Sequence, residues 1–306
     1  PAAQGETPLL RGMEVTNPNE GPEAEEDSRP PMRKHGFERP FHPLQVLSWV
    51  VFGTDVVIYC CFGWPIIDTH GAKVAVAIFY CSSVALLVYF TSKATACDPI
   101  DPYVSLKESA GSVHEDLPFC DMCGVPVQMR SKHCRVCNKC VSVFDHHCMW
   151  LNNCVGSANY RAFFATVSSV VCMIGITLGT CVYLLLDYFI NEAAFEDRYR
   201  HISVFSDLPK EFFLGVLVSL VCVNCPLFLL DLQLVLLHLY LMSQNMTTYD
   251  YIRNKWDLER EEGGHGEGDA ARGVEGRRGS PGAGNGKRWP IRQDFRALPR
   301  WMDWII

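Results

Sequence analysis

No stripe of lysine and arginine runs through this chain, and acidic residues outnumber basic ones by 34 to 27. A net charge of -7 repels a phosphate backbone, so nucleic acid is not an expected partner. Residues Pro1 to Pro43 lack the basic-then-apolar order of a cleavable secretion signal. That stretch also has no long apolar run. Glu6, Glu14, Glu20, Glu23, Glu25, Glu26 and Asp27 crowd it, and Pro30, Pro31, Pro40 and Pro43 close it, which together read as a disordered acidic tail. Apolar residues still make up 48% of the whole, so they must be concentrated farther on.

Four segments there are nearly free of charge. They run from Leu44 to Trp64, from Val74 to Thr91, from Phe163 to Leu186 and from Phe212 to Met242. A helix on a soluble core would show a polar face every turn, and these do not. Each suits a bilayer core of about 30 Å, which takes about 20 apolar residues of helix. The expected fold is an all-α polytopic membrane protein with four transmembrane helices. The fourth segment is long for a single crossing and is expected to tilt, to kink near Pro226 or to project beyond the bilayer. Asp55, near the middle of the first span, is expected to face the bundle interior, neutral or hydrogen-bonded to another span.

Loop charge sets the orientation. The 91–162 loop carries Lys93, Lys107, Arg130, Lys132, Arg135, Lys139 and Arg161, and eleven more basic residues lie in the C-terminal tail. The other two links hold only Lys73, and Arg198, Arg200 and Lys210. Both termini and the long loop are predicted cytosolic. The organisation is then a tail over 1–43, two spans within 44–92, a cytosolic Cys-rich domain over 93–162, two more spans within 163–242 and a cytosolic tail over 243–306. Within that last tail, Gly263 to Gly286 reads as a flexible linker. Trp301 to Ile306 form an aromatic cluster that either meets the membrane interface or is unstructured.

The chain has 15 cysteines, but their distribution does not suggest disulfides. Seven fall between Cys120 and Cys154 among histidines, where short spacings point to metal ligation in a reducing compartment. Cys60, Cys61, Cys81, Cys172, Cys181, Cys222 and Cys225 lie in the apolar runs and read as small fillers. Cys120 and Cys123 make one chelating hook, and Cys134 and Cys137 another. His133 and Cys134 are neighbours and more easily serve different ions than crowd one. The simplest division gives one Cys3His site from Cys120, Cys123, His133 and Cys140, and a second from Cys134, Cys137, His147 and Cys154. Two structural zinc ions would staple a loop too small for its own core.

Asp145, His146 and Cys148 remain, needed by neither site. They supply an orienting carboxylate, a base and a thiol, the parts of a cysteine nucleophile. Residues two apart do not face each other on a helix, so this constellation is expected on an irregular, metal-pinned turn. A spare ligand and a surface histidine are the plainer alternative for Cys148 and His146.

The run from Cys134 to Phe164, with Asp145-His146-His147-Cys148, Trp150, Asn152, Asn153, Cys154, Val155, Gly156, Asn159 and Tyr160, resembles the Asp-His-His-Cys (DHHC) palmitoyltransferase family. The resemblance reaches back to Cys120 and includes the four-span layout, covering about residues 44–252. It implies a two-step transfer. Cys148 attacks the thioester of palmitoyl-CoA with His146 as base and Asp145 fixing the imidazole. The chain then passes to a cytosolic cysteine of a membrane-associated protein. By the same match the eight residues divided above are zinc ligands, and a cavity among the spans holds the fatty chain. Arg130, Lys132, Arg135 and Lys139 would meet either the CoA phosphates or the membrane surface. An endomembrane, endoplasmic reticulum or Golgi, is the expected location.

Several positions depart from the family pattern. Ile100 follows Asp98-Pro99 in place of glycine, Asp250 ends Thr247-Thr248-Tyr249-Asp250 in place of glutamate, and Met149 stands where many members have proline. Two other classes compete. A RING-type ubiquitin ligase would need a closing Cys-x-x-Cys pair that the segment past Cys154 lacks. A non-catalytic membrane scaffold retaining the zinc fold would tolerate the loosened motifs.

Overall fold

A computed structural model describes residues 31–106, 117–202 and 207–263. The acidic part of the N-terminal stretch, the 264–286 part of the glycine-rich linker and the Trp301 cluster lie outside the described residues. Among the described residues four helices are long and apolar enough to cross a membrane: Pro43–Ile66, His70–Ala96, Tyr160–Ile190 and Lys210–Ser243. The first combines helix α1 (Pro43–Ile58) with a π turn over Tyr59–Gly63 and a 3-10 turn over Trp64–Ile66. Pro43 opens it at the first helical position, where no amide hydrogen is needed. The second is α2 (His70–Ala96), the third α4 (Tyr160–Ile190) and the fourth α6 (Lys210–Ser243), with α3 (Pro102–Ser105) after α2 and α5 (Glu192–His201) between the last two spans.

Helix α4 is the central span, packed against both α2 and α6. Its inward face buries Val170, Met173, Ile174, Cys181 and Leu184 against Tyr59, Tyr80 and Leu217. Among the seven cysteines read as fillers only Cys181 is buried; the other six lie on outward faces, where a thiol meets lipid as readily as a methyl group would. Helix α6 runs unbroken through Pro226 for 34 residues, which at 1.5 Å per residue is about 51 Å. Asp55 turns inward, as expected, and accepts a 2.7 Å hydrogen bond from Asn224 of α6.

At the C-terminal end of α2 the last carbonyls have no partner within their own helix. Asparagines of the long loop supply it. Asn153 Nδ2 donates to the carbonyls of Ala94, Thr95 and Cys97 at 3.1, 3.2 and 2.8 Å. Asn159 Nδ2 donates to Ala94 at 3.1 Å and to Cys154 at 2.9 Å. The loop is thereby moored to the membrane helix by main-chain acceptors.

One expectation needs correcting. The stretch just before Pro43 is part of the folded domain and not of a disordered tail. Arg33 N donates to the Cys137 carbonyl at 3.0 Å and Gly36 N to that of Thr95 at 2.8 Å. Gln45 and Asn152 both donate to the Gly36 carbonyl. A Cβ on Gly36 would lie 2.0 Å from the Leu151 carbonyl oxygen, so only glycine allows this approach. Cys137, Leu151 and Asn152 are more than a hundred residues away, beyond the reach of any local pattern.

Candidate active site and metal centres

The Cys-rich loop is three short antiparallel hairpins. The strands are β1 (Phe119–Cys120) with β2 (Val125–Pro126), β3 (Lys132–Cys134) with β4 (Lys139–Val141), and β5 (His146–Cys148) with β6 (Asn153–Val155). They repeat every fourteen residues: Cys120, Cys134 and Cys148 start the three turns, and Gly124, Asn138 and Asn152 end them. Those last three all have positive φ, 68°, 50° and 52°, a conformation that glycine and asparagine adopt at least cost. Hairpins one and two carry a second thiol at the fourth position, Cys123 and Cys137. Hairpin three carries Leu151 there.

Ligands alternate sides because successive strand residues point to opposite faces. On β3, His133 turns to the first hook while Cys134 begins the second. His133 is paired across the hairpin with Cys140, and His147 with Cys154. The two groups of four that form are Cys120, Cys123, His133, Cys140 and Cys134, Cys137, His147, Cys154. In the first, His133 Nδ1 lies 3.8, 3.3 and 3.9 Å from the sulfurs of Cys120, Cys123 and Cys140. In the second, His147 Nδ1 lies 3.8, 3.4 and 3.6 Å from those of Cys134, Cys137 and Cys154. A tetrahedron with metal bonds of about 2.3 Å to sulfur and about 2.0 Å to nitrogen has edges of about 3.6 to 3.8 Å. The residues fit a tetrahedral ion, and soft thiolate with imidazole is the donor set of zinc.

The same alternation arranges the third hairpin. His146 and Cys148 share one face of β5, and His147 between them faces the second metal group. The expected irregular turn is therefore a regular strand, in which residues two apart do face the same way. Cys148 is buried among Ala94, Leu151, Val155, Ala162, Phe163 and Val167, with Phe90, Leu234 and Val235 at its edge. The helical members come from the ends of α2, α4 and α6 that meet the Cys-rich loop, so the thiol is directed at the apolar interior of the bundle.

Asp145 is 1% exposed and accepts His146 Nδ1 at 2.7 Å. Its other oxygen accepts the Thr248 amide at 2.9 Å, at the start of helix α7 (Thr248–Gly263). A helix N-terminus favours a carboxylate there. Burial works against the Asp145 charge, but His146 and the Thr248 amide hold its pKa below the ordinary value. Burial likewise opposes charge on His146, yet hydrogen bonds to Asp145 and to the Cys148 thiol raise it to about 10. Such an imidazole binds a proton firmly while Nε2 stays turned to the sulfur. Asp250, at the position where the family pattern has glutamate, completes a reciprocal cap. It accepts the Thr247 amide at 3.2 Å, and its own amide donates to Thr247 Oγ1 at 3.1 Å.

Of the four cations expected near phosphate, the structure uses three internally. Lys139 is fully buried, with its ammonium 2.5 Å from Asp98 and 2.9 Å from the Lys34 carbonyl; it is a structural pair and not a phosphate contact. A buried ammonium needs this pairing to remain charged. Arg130 is 2.6 Å from Asp250, and Lys132 lies 5.7 Å over the Tyr249 ring. Both remain partly exposed, and Arg135 is exposed.

Two further residues stand at the site: Tyr160, which the sequence places in the signature run without a role, and His238, which it does not single out. Tyr160 and His238, from α4 and α6, are hydrogen-bonded at 2.9 Å, and the His238 ring centre lies 6.2 Å from that of His146. An ionisable residue in an apolar segment is the signal that singles out Asp55, and His238 carries the same signal.

A family model described as DHHC palmitoyltransferase matches residues 113–255. Human palmitoyltransferase ZDHHC1 is 34% identical over 246 residues, covering 72% of this chain and 50% of that protein. Mouse palmitoyltransferase ZDHHC11 is 31% identical over 270 residues, covering 76% of this chain and 75% of that one. Protein S-acyltransferase 18 of Arabidopsis thaliana is 27% identical over 290 residues, covering 72% and 57%. The chain thus spans between half and three quarters of these relatives' lengths. On the Cys-rich hairpins, the four spans and these matches together, the chain belongs to the DHHC palmitoyltransferase family.

Proposed function

We propose that this protein is a protein S-acyltransferase that moves a long-chain acyl group from palmitoyl-CoA to cytosolic cysteines of membrane-associated proteins, with Cys148 carrying the chain between them. The observation that carries this reading is the shared strand face of His146 and Cys148, with the thiol directed at the apolar ends of three membrane helices.

His146 Nε2 takes the Cys148 proton, and the thiolate adds to the thioester carbonyl. The carbon–sulfur bond to CoA breaks as the new thioester forms, and the CoA sulfur takes the proton from His146. The second half repeats these steps: an incoming cysteine loses its proton to His146, attacks the acyl-Cys148 carbonyl and releases the Cys148 sulfur, to which the proton returns. Asp145 holds the imidazole in one orientation throughout. Burying the chain among the spans is favourable by about 0.8 kcal/mol per CH2, which suits a donor whose carbonyl must stop at the membrane surface. Two zinc ions, one in each Cys3His group, would supply structure only. Arg130, Lys132 and Arg135 suit the CoA phosphates, the first two once their carboxylate or ring partner is exchanged for phosphate. An endomembrane setting with both termini cytosolic accords with the loop charges and the reduced thiols.

Purified full chain is incubated with alkyne-tagged palmitoyl-CoA. Label that hydroxylamine removes, present on wild type and lost in Cys148→Ser, is the expected result. Equal label on both would end the catalytic assignment and favour a scaffold that keeps the metal fold.

A further inference from the structure

A thioester under attack develops negative charge on its carbonyl oxygen, and acyl-transfer sites meet it with a fixed hydrogen-bond donor. The catalytic strand supplies nucleophile and base, but neither His146 nor Asp145 can be that donor, since His146 Nε2 is engaged with the proton of Cys148 and Asp145 is an acceptor for His146 and the Thr248 amide. Helix α6 places a second imidazole opposite them. His238 is 2% exposed, although it lies one turn after Leu234 and Val235, which border the Cys148 cluster. Its ring centre is 6.2 Å from His146 and 5.1 Å from Phe163, and Phe163 is itself 5.2 Å from His146. The three rings form one compact triangle, and its Phe163 belongs to the apolar cluster around Cys148, which sets the second imidazole beside the surroundings of the reacting thiol.

The tautomer follows from the hydroxyl of Tyr160, 2.9 Å from His238 Nδ1. If Nδ1 carried the hydrogen, the phenol would accept, and its own proton would have no acceptor among the described residues. With the phenol donating to Nδ1, its proton is held and the ring hydrogen stands on Nε2, where it is available to an incoming acceptor.

The geometry points to His238 as a catalytic residue: its Nε2–H, fixed by Tyr160, donates a hydrogen bond to the oxyanion formed at the acyl carbonyl. Resting on the acyltransferase reading above, it adds no proton transfer. As the Cys148 sulfur bonds to the carbonyl carbon, the π electrons move to oxygen and are held by the Nε2–H. They return when the CoA sulfur leaves with the proton from His146. The same donor serves the second transfer, whose intermediate has the same oxyanion.

The test is single-turnover formation of acyl-Cys148 from palmitoyl-CoA by the full chain in lipid nanodiscs, for wild type, His238→Phe, His238→Gln and Tyr160→Phe. His238→Phe should be slower at saturating donor by roughly 10²- to 10³-fold, with the half-saturating concentration changed by less than about threefold. His238→Gln, whose amide still donates, should recover about tenfold of the loss, and Tyr160→Phe should slow several-fold as the tautomer is released. With carbonyl-labelled donor, isotope-edited infrared spectra should show the acyl-enzyme stretch at lower frequency in wild type than in His238→Phe. A merely structural tie between α4 and α6 would not move that frequency. Unchanged saturating rates, a change confined to half-saturation, or an unshifted stretch overturns the assignment. Should His238→Phe fail to fold, His238→Gln and Tyr160→Phe decide it on the same criteria: both matching wild type in rate and stretch would overturn it. A wild type that forms no acyl-Cys148 overturns the acyltransferase reading and this one with it. A wild type that acylates while every variant matches it overturns this one alone.

Discussion

The second and third hairpins of the Cys-rich domain share a spacing, a turn and a positive-φ asparagine, yet one is closed by metal ligands and the other is not. At Cys134 and Cys137 the hook is complete. At Cys148 its partner position holds Leu151, 5% exposed, and no further repeat follows to offer a histidine and a thiol. Cys148, the proposed nucleophile, is therefore the first sulfur of a third hook that cannot close. The turn that would have been stabilised by an ion is stabilised by apolar packing and by Asn153, which ties it to α2. Freeing one sulfur while keeping the shape of a ligand turn requires just this exchange.

The comparison can be broken most completely from the metal side. Cys134→Ala, or treatment with a strong chelator, should unfold the hairpins and abolish acylation although no ligand performs chemistry, since structural zinc contributes on the order of 10 kcal/mol. Metal content measured beside label incorporation checks it, and full activity in a metal-free sample would contradict it. Completing the third hook should come next. Leu151→Cys should make acylation sensitive to cadmium at least about tenfold below the concentration that affects wild type, read as label against added ion. Identical sensitivity would mean that the two turns are not equivalent. Cutting the mooring should cost less. Asn153→Ala leaves the Ala94, Thr95 and Cys97 carbonyls without this donor and should destabilise the domain by about 1 to 3 kcal/mol. Thermal unfolding and hydrogen exchange at the end of α2 report it. Asp250→Ala should be mildest, about 1 kcal/mol for the lost cap, and its Arg130 pair adds little at a half-exposed surface. Exchange protection of the first turn of α7 measures it.

The spans were legible because lipid forces a long run without charge, and the ligand sets because neighbouring His133 and Cys134 cannot easily serve one ion. The geometry of the nucleophile was only half legible. Asp145, His146 and Cys148 could be named by elimination, but helical spacing rules gave the wrong local shape, since three residues are too few to show a strand's period. The fourteen-residue repeat was present in the letters and hidden by Leu151, which interrupts the pattern at the position that matters. Lys139 was misjudged because a cation in a polar loop looks solvated until Asp98, forty-one residues earlier, is seen beside it. Gly36 acts through contacts with Thr95 and Asn152 that no local pattern shows, and His238 is marked in the letters only as an ionisable residue in an apolar run, its partner Tyr160 lying seventy-eight residues earlier.

The Asn153 amide hangs from the last carbonyls of a membrane-crossing helix, so the height of the neighbouring Cys148 sulfur above the bilayer belongs to this chain and not to whatever protein approaches it. In the proposed reaction an incoming thiol must come down to that level. How far it sits from its own lipid attachment, more than the letters around it, then decides whether it is reached.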